Sequence, residues 1–494
     1  MRSVWDREVG GSNPLAPTNL IHQSFPLPID PGSLGRILFI AKIDPIALCF
    51  KYNMSETIFN HGLLHEQSDE STEQLSSTVA LGYGARHVHF KFDPNQFQVL
   101  VPQYSDAVRL SDGEINAALD VPIATPRLEE IVKPSERVII VAPDATRAAG
   151  VDRIAPLIVE RLNRLGLRDD QISVLIGGGT HRAPTSAEIQ SILGPALPLR
   201  IVVYSHDAND ASSHVSLGKT SRGTPVLLNR RLLENDHVIV LGAITYHYIA
   251  GFSGGRKAIL PGCAARSSIQ STHLLSFDRN TLEKSPGVAS GCLDGNPVHE
   301  DMTEAVELLN PSFLVNTVLG KEGDVVAVYA GHWRQAHRQG CEDYAKAHRV
   351  PVTERRPLVI VSAGGAPRDI NLIQSHKAME HASAVLEDEG AMIVLAECAE
   401  GLGLVDFLRW FVPGGSRATA QMLVEDYKIY GQTAWSLRRK AERFRIMLIS
   451  SINSEMTRLM GIEPHQSLRS ALAGVSKQNG YIIPNGLATL PTLS

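Results

Sequence analysis

The chain has 494 residues, a net charge of −5, and 43% hydrophobic and 20% charged residues, which gives room for two or three domains and a sizeable core. No block of like charges runs through it, so a nucleic-acid surface is not indicated. The five cysteines, Cys49, Cys263, Cys292, Cys341 and Cys398, form no C-x-x-C pair, which argues against a disulfide framework or a zinc knuckle and fits a reducing, cytoplasmic setting.

Taken in chain order, residues 1–85 read as a disordered leader, because the start has turn-formers without periodicity and 54–80 is rich in Ser, Glu and Gln. Met54 is a candidate natural start. The early apolar run ILFIAKIDPIALCF is broken by Lys42, Asp44 and Pro45, so no membrane span is expected. Asp6 and Glu8 argue against a secretory signal. HVHFKFDPNQFQVLVP (87–102) alternates around a DPN turn and predicts a hairpin. Four apolar runs, 136–144, 171–179, 199–206 and 237–244, predict buried strands. Helices are expected between them at 151–165 and 185–194, the second opened by the capping-box spacing of Thr185 and Glu188. Strands alternating with helices imply a parallel sheet covered on both faces.

A second unit follows. Residues 313–331 read as a hairpin, 356–365, 391–397 and 445–451 as buried strands, and 481–486 as a closing segment. A helix between Asn371 and Glu387 carries Gln374, His376 and Lys377 near its start. The expected class is α/β, with two α/β domains built on mainly parallel sheets, 86–310 and 311–494, and an active site in the cleft between them.

Polar residues sit just past the strand ends: Asp144, Thr146 and Arg147, then His181 and Arg182, then His247. Ligands of open α/β sheets bind beyond the carboxyl ends of the strands, so three strand ends point at one crevice. His181 reads either as a hydrogen-bonded turn histidine or as an acid–base group. With His247 in the equivalent position, a two-base arrangement on either side of a substrate carbon becomes the sharper reading. Arg147 either clamps a carboxylate or phosphate through its planar fork or closes a turn with Asp144. Lys257, in GFSGGRKAILPG, lacks the spacing of a nucleotide phosphate loop. His273 and the NPVHEDM stretch (296–302) read more readily as structural. Cys263 and Cys398 have no nearby His partner in sequence and read as small core residues.

Taken together, PDATR (143–147), GTHRAPT (179–185), HYIAGFSGGRKAILPG (247–262), His273, NPVHEDM and GGAPRDINLIQSHKAM (364–379) resemble the lactate racemase family, the nickel-pincer-nucleotide enzymes, in the family's order over roughly 87–490. The resemblance implies racemisation or epimerisation at C2 of a small-molecule 2-hydroxy acid by reversible proton-coupled hydride transfer. Its implied cofactor is the nickel(II) pyridinium-3,5-bisthiocarboxylic acid mononucleotide, and proteins of cofactor biosynthesis become implied partners. Lys257 would hold that group covalently, and His273 would supply a nitrogen to a square-planar nickel, a geometry that suits nickel(II). His181 and His247 would be the paired acid–base groups. Asp144, Ala145, Thr146 and Arg147 would contact the cofactor, while Arg147, Gln374, Lys377 and Trp435 would contact the substrate. Ile373 stands where the lactate enzyme has a tyrosine, and Ile249 replaces an aromatic residue, so the implied reaction type is firmer than the implied substrate. Two other classes stay open: a homologue that binds or carries the cofactor without turnover, and a nickel-free α/β lyase or isomerase acting on a phosphorylated sugar acid.

Overall fold

A computed structural model describes residues 76–102, 107–320, 322–476 and 479–494. Most of the leader expected over 1–85, with Met54, lies outside the described residues. Its last part corrects that expectation, because Ser77–Tyr83 is a strand (β1) with Leu81 fully buried. β1 pairs antiparallel with Arg86–Phe92 (β2). The hairpin predicted over 87–102 is therefore formed with the preceding segment. Beyond the DPN turn the chain instead enters Phe97–Val99 (β3), which pairs in parallel with a strand almost 400 residues later in the chain, a partner that no local pattern could announce.

The first large sheet uses Val138–Pro143 (β4), Ile172–Gly177 (β5), Val202–Ser205 (β6) and His237–Ala243 (β7), the four strands read from the sequence. Residues Tyr246–His247 (β8) and Gly251–Phe252 (β9) form a short antiparallel ribbon just after it. Phe313–Leu319 (β10) and Val325–Gly331 (β11) are the expected hairpin, and β10 joins β7 in this first sheet. The sheet order is β11-β10-β7-β4-β5-β6, parallel except for β11. Alternate residues of β4 feed two cores: Val138, Ile140 and Ala142 on one face, Ile139 and Val141 on the other, all fully buried. Each such Val or Ile burial stabilises the fold by about 1.5–3 kcal/mol, which is why these runs are apolar without interruption.

Helix α1 (Val151–Leu165) covers one face with Ile154, Ile158 and Leu162, spaced at one helical turn. Helix α2 (Ser186–Leu193) begins at the predicted capping box: Thr185 Oγ1 accepts from Glu188 N and Glu188 Oε2 accepts from Thr185 N. Three further helices flank the sheet: α3 (Arg266–Leu274), α4 (Pro297–Glu307) and α5 (Gln335–His348). Asn296 caps α4 by accepting from the amides of Val298 and His299.

The second sheet contains Arg356–Ser362 (β12), Leu386–Leu395 (β13), Arg445–Ile449 (β14), Glu463–His465 (β15) and Gly480–Ile483 (β16), with β3 at one edge. Its order is β15-β14-β13-β12-β16-β3, and every pairing is parallel. The β1–β2 hairpin covers one face through Leu81, Tyr83 and Phe92. Helices α6 (Leu372–Ala382) and α7 (Ile429–Arg443) cover the other, against Val359, Val361 and Val394. The predicted α/β class with mainly parallel sheets is the observed one. In the first sheet the strand order reverses between β4 and β7, and in the second between β12 and β16, the positions where such sheets open a crevice at their carboxyl ends.

Three deeply buried histidines make this fold acid-sensitive. Burial pushes His206 down to about 4, and His337 and His376 to about 3. Below the ordinary value of 6.5 the unfolded chain binds protons that the folded chain refuses, so stability must fall as pH drops. The slope approaches on the order of 1.4 kcal/mol per pH unit for each group. Denaturant unfolding should therefore show a progressive loss of stability between pH 6.5 and 4.5, and a flat profile over that range would contradict these burials.

Candidate functional site

The loop after β4 opens the site. Arg147 N donates to Asp144 O at 3.0 Å, closing a tight turn that leaves Ala145, Thr146 and Arg147 exposed. The Asp144 side chain is buried, and its Oδ1 accepts from Thr146 N (3.0 Å) and Thr146 Oγ1 (2.6 Å). Its other oxygen, Oδ2, lies 2.6 Å from His181 Nδ1. Burial works to raise the Asp144 carboxyl, but the hydrogen bond and charge of His181, the Thr146 hydroxyl and the charge of Arg147 outweigh it and hold it below its ordinary range. Asp144 thus faces His181, and it pairs with Arg147 only through the backbone. β4 and β5 are neighbours in the sheet, so their adjacent ends explain the Asp–His contact, which sequence reading missed.

His247 ends β8, on the far side of β4. Its Nδ1 accepts from the amides of Ala250 (3.1 Å) and Ile249 (3.3 Å), and its Nε2 lies 3.5 Å from Lys257 Nζ. In both histidines Nδ1 is occupied by the protein and Nε2 is the nitrogen left for other partners. These bonds give the two rings opposite tautomers. His181 donates from Nδ1 to Asp144 and offers a lone pair at Nε2; His247 keeps Nδ1 as an acceptor and offers N–H at Nε2.

Lys257 lies in a short turn of 3-10 helix, Gly255–Ala258. The two cations of GGRK divide their work. Arg256 is 2% exposed and points inward, donating to Ala250 O (2.5 Å) and lying 3.1 Å from His337 Nε2. Lys257 turns the opposite way, to His247. The glycines before them serve the protein's own packing. At Gly254, φ is 71°, and a Cβ would lie 2.8 Å from Asn316 Oδ1; at Gly255, φ is 55°, and a Cβ would lie 2.5 Å from the His337 ring. Asn316, buried on β10, also accepts from Gly255 N at 2.9 Å. A side chain at either glycine is therefore excluded sterically as well as by the left-handed backbone.

Helix α6 brings the second sheet's contribution. Asn371 caps it by accepting from Gln374 N, and Lys377 Nζ donates to Gln374 Oε1 at 2.6 Å, one turn along the same face. The structure brings Lys377 to the same cluster as Arg147, His247, Lys257 and His273. Burial first, then the charges of Lys257, Lys377, Arg147 and His273, hold His247 well below its ordinary range. Burial, with Arg256, Arg147 and Lys377, does the same to Lys257; burial and Arg147 do so to Lys377. His273 on α3 is 5% exposed, and its Nδ1 donates to Ile269 O at 2.8 Å, which leaves the Nε2 lone pair free. Burial and Lys257 lower His273 to about 3. Each of these basic groups disfavours a proton on its neighbours, so the cluster would gain protons, and positive charge, only with an anion bound beside it.

Three further residues singled out in the sequence pack into the cores. Trp435 is 2% exposed in the second core, edge-on to the Phe277 ring at 5.1 Å. Ile249 is buried in the core beside the first sheet, and Ile373 is partly buried against the second core. Cys263 and Cys398 are fully buried, as expected of small core residues.

The lactate racemase N-terminal domain matches residues 83–284, a span holding Asp144, His181, His247, Lys257 and His273, and the lactate racemase C-terminal domain matches 353–490, which holds Gln374, Lys377 and Trp435. A lactate racemase of Lactiplantibacillus plantarum is 31% identical over 296 residues, 60% of this chain and 68% of the relative. The chain belongs to the lactate racemase family. A lactate racemase of Thermoanaerobacterium thermosaccharolyticum is 28% identical over 436 residues, 84% of this chain and 99% of the relative. The structure of that organism's lactate racemase apoprotein superposes with a TM-score of 0.77 at 27% identity, covering 84% of this chain and all of the other. A Thermotoga maritima protein shares the fold at a TM-score of 0.60 and 18% identity. Among the described residues no helix is long and apolar enough to cross a membrane.

Proposed function

We propose that this member of the lactate racemase family is an isomerase that inverts C2 of a 2-hydroxy acid, with a nickel-pincer nucleotide attached through Lys257. The observation that carries this reading is the pair of histidines at two strand ends flanking β4, held in opposite tautomers beside a cation cluster. The residues present fit the implied group. Burial and neighbouring basic groups lower Lys257 and so favour its neutral, nucleophilic amine, the form a covalent attachment point needs. Arg147, and Lys377 once an anion beside it favours its protonated form, suit an anionic ligand. His273, with Nδ1 fixed on a backbone carbonyl, has the tautomer of a metal ligand at Nε2. Among the described residues no three His, Cys, Asp or Glu side chains converge as a metal site, so nickel here would take one protein nitrogen and its other ligands from the cofactor.

When bound, the group supplies a reversible acceptor for the C2 hydrogen. Everything else falls to the chain. Arg147 and Lys377 would hold the substrate carboxylate between the two sheets, and Gln374, already bonded to Lys377, would orient the oxygens. For one enantiomer, His181 Nε2 takes the proton of the 2-hydroxyl, and the charge that develops on the ring is stabilised by Asp144. The 2-keto acid, still held by its carboxylate, turns its other face toward His247, whose Nε2–H supplies the proton to the oxygen as hydrogen returns to C2; the proton that His181 took then replaces it, so both rings end as they began. For the opposite enantiomer the same steps run in reverse.

A panel of single-enantiomer 2-hydroxy acids, from lactate to aromatic and sugar acids, followed by chiral chromatography, tests the proposal. At least one should approach an equilibrium mixture with cofactor-loaded enzyme. No conversion of any member would reject a racemase.

A further inference from the structure

Tyr248 follows His247 in the chain and packs in the core beside the first sheet, but it also reaches the helices of the second. Its ring is 8% exposed and lies beside that of His247, with centroids 5.5 Å apart and planes inclined by 17°. On another side it meets the His376 ring edge-to-face at 5.5 Å. Its hydroxyl is 2.9 Å from Thr433 Oγ1. His376 lies on α6, one residue before Lys377, and Thr433 lies on α7.

Those two helices are braced to each other below the tyrosine. Lys440 on α7 donates to Glu380 Oε1 at 2.5 Å, to Ser436 Oγ at 2.8 Å and to His376 Nε2 at 3.2 Å, and Ser436 also donates to Glu380. Lys440 is 7% exposed and His376 is fully buried. A buried lysine without its carboxylate would be costly, so this brace fixes α6 against α7. His376 Nδ1 is buried without a hydrogen-bond partner among the described residues, and the Tyr248 ring is the one packed against that histidine.

We propose that Tyr248 is a positioning residue, a peg seated in the α6–α7 brace that sets the His247 ring relative to Lys377 and Gln374. This rests on the roles given to His247 and Lys377 above. The hydroxyls of Tyr248 and Thr433 bond each other. Their bond spans the two sheets at the point where one histidine and one substrate-holding lysine must keep register.

The test uses Tyr248→Phe and Thr433→Val, which delete the same hydrogen bond and leave the rings in place. In cofactor-loaded enzyme each should lower kcat about tenfold, with KM changed by less than about twofold, because substrate remains held but the proton-transfer geometry is lost. The double variant should fall no further than either single one. Amide exchange over residues 246–252 should quicken in Thr433→Val, with or without cofactor, although the substitution is on α7. An unchanged kcat, a loss confined to KM, losses that multiply in the double variant, or unchanged exchange over 246–252 would each overturn the peg. Wild-type enzyme that interconverts no 2-hydroxy acid would count against the racemase reading instead, and the exchange measurement, which needs no turnover, would still decide the role of Tyr248.

Discussion

Lys257→Ala protein, purified from cells that make the cofactor, should carry no covalent adduct and should lose racemisation by about 10⁴-fold or more. The loop offers no substitute nucleophile. Arg256, its neighbour, is buried on the Ala250 carbonyl and stays charged near neutral pH even though burial lowers it to about 10, whereas Lys257 is driven toward its neutral amine by burial and by the charges of Arg256, Arg147 and Lys377. Lys257→Arg should fail as well, since a guanidinium stays charged and cannot take the lysine's covalent role. Intact mass and metal analysis read the result directly. Wild-type protein should show the adduct with near-stoichiometric nickel. An adduct that survived in Lys257→Ala would move the attachment point elsewhere.

Removing either base should be nearly as severe and should look different. His181→Ala and His247→Ala should each lose about 10²–10⁴ in turnover while retaining adduct and nickel, because neither is assigned to the metal. Loss of nickel from either variant would mean that the division of labour with His273 is wrong. Asp144→Asn probes the same group more finely. Thr146 donates twice to Oδ1, so the amide oxygen of an asparagine would stay there and its NH2 would face His181 Nδ1. That donor forces the His181 hydrogen onto Nε2 and removes the lone pair. The expected loss is about 10³–10⁴ in kcat, in both directions, with the fold intact. Near-normal turnover in Asp144→Asn would show that the carboxylate only closes the loop.

Much of this site was legible in the sequence because it depends on strand ends. Apolar, β-branched runs announce buried parallel strands, and Asp144, His181 and His247 each fall just past one. What escaped was everything set by which strands become neighbours. The Asp144–His181 bond depends on β4 lying beside β5, and the seat of Tyr248 depends on two helices more than 120 residues downstream. β3 pairs with β16, so its alternation gave its faces and not its partner. Side-chain direction within a single helical turn was equally hidden. Arg256 and Lys257 look like a matched pair of cations, yet the turn sends one into the protein and the other to His247. The glycines of the loop suggest room for a ligand, and the structure shows them making room for Asn316 and His337.

The central claim is that the hydrogen at C2 leaves and returns without exchanging with water, while the two histidines handle only the hydroxyl proton. A 2-hydroxy acid that the enzyme accepts, deuterated at C2 and supplied as one enantiomer in ordinary water, decides it. The opposite enantiomer should form with its deuterium retained; product that carries hydrogen at C2 would mean that a histidine removes that hydrogen as a proton, and would contradict the mechanism.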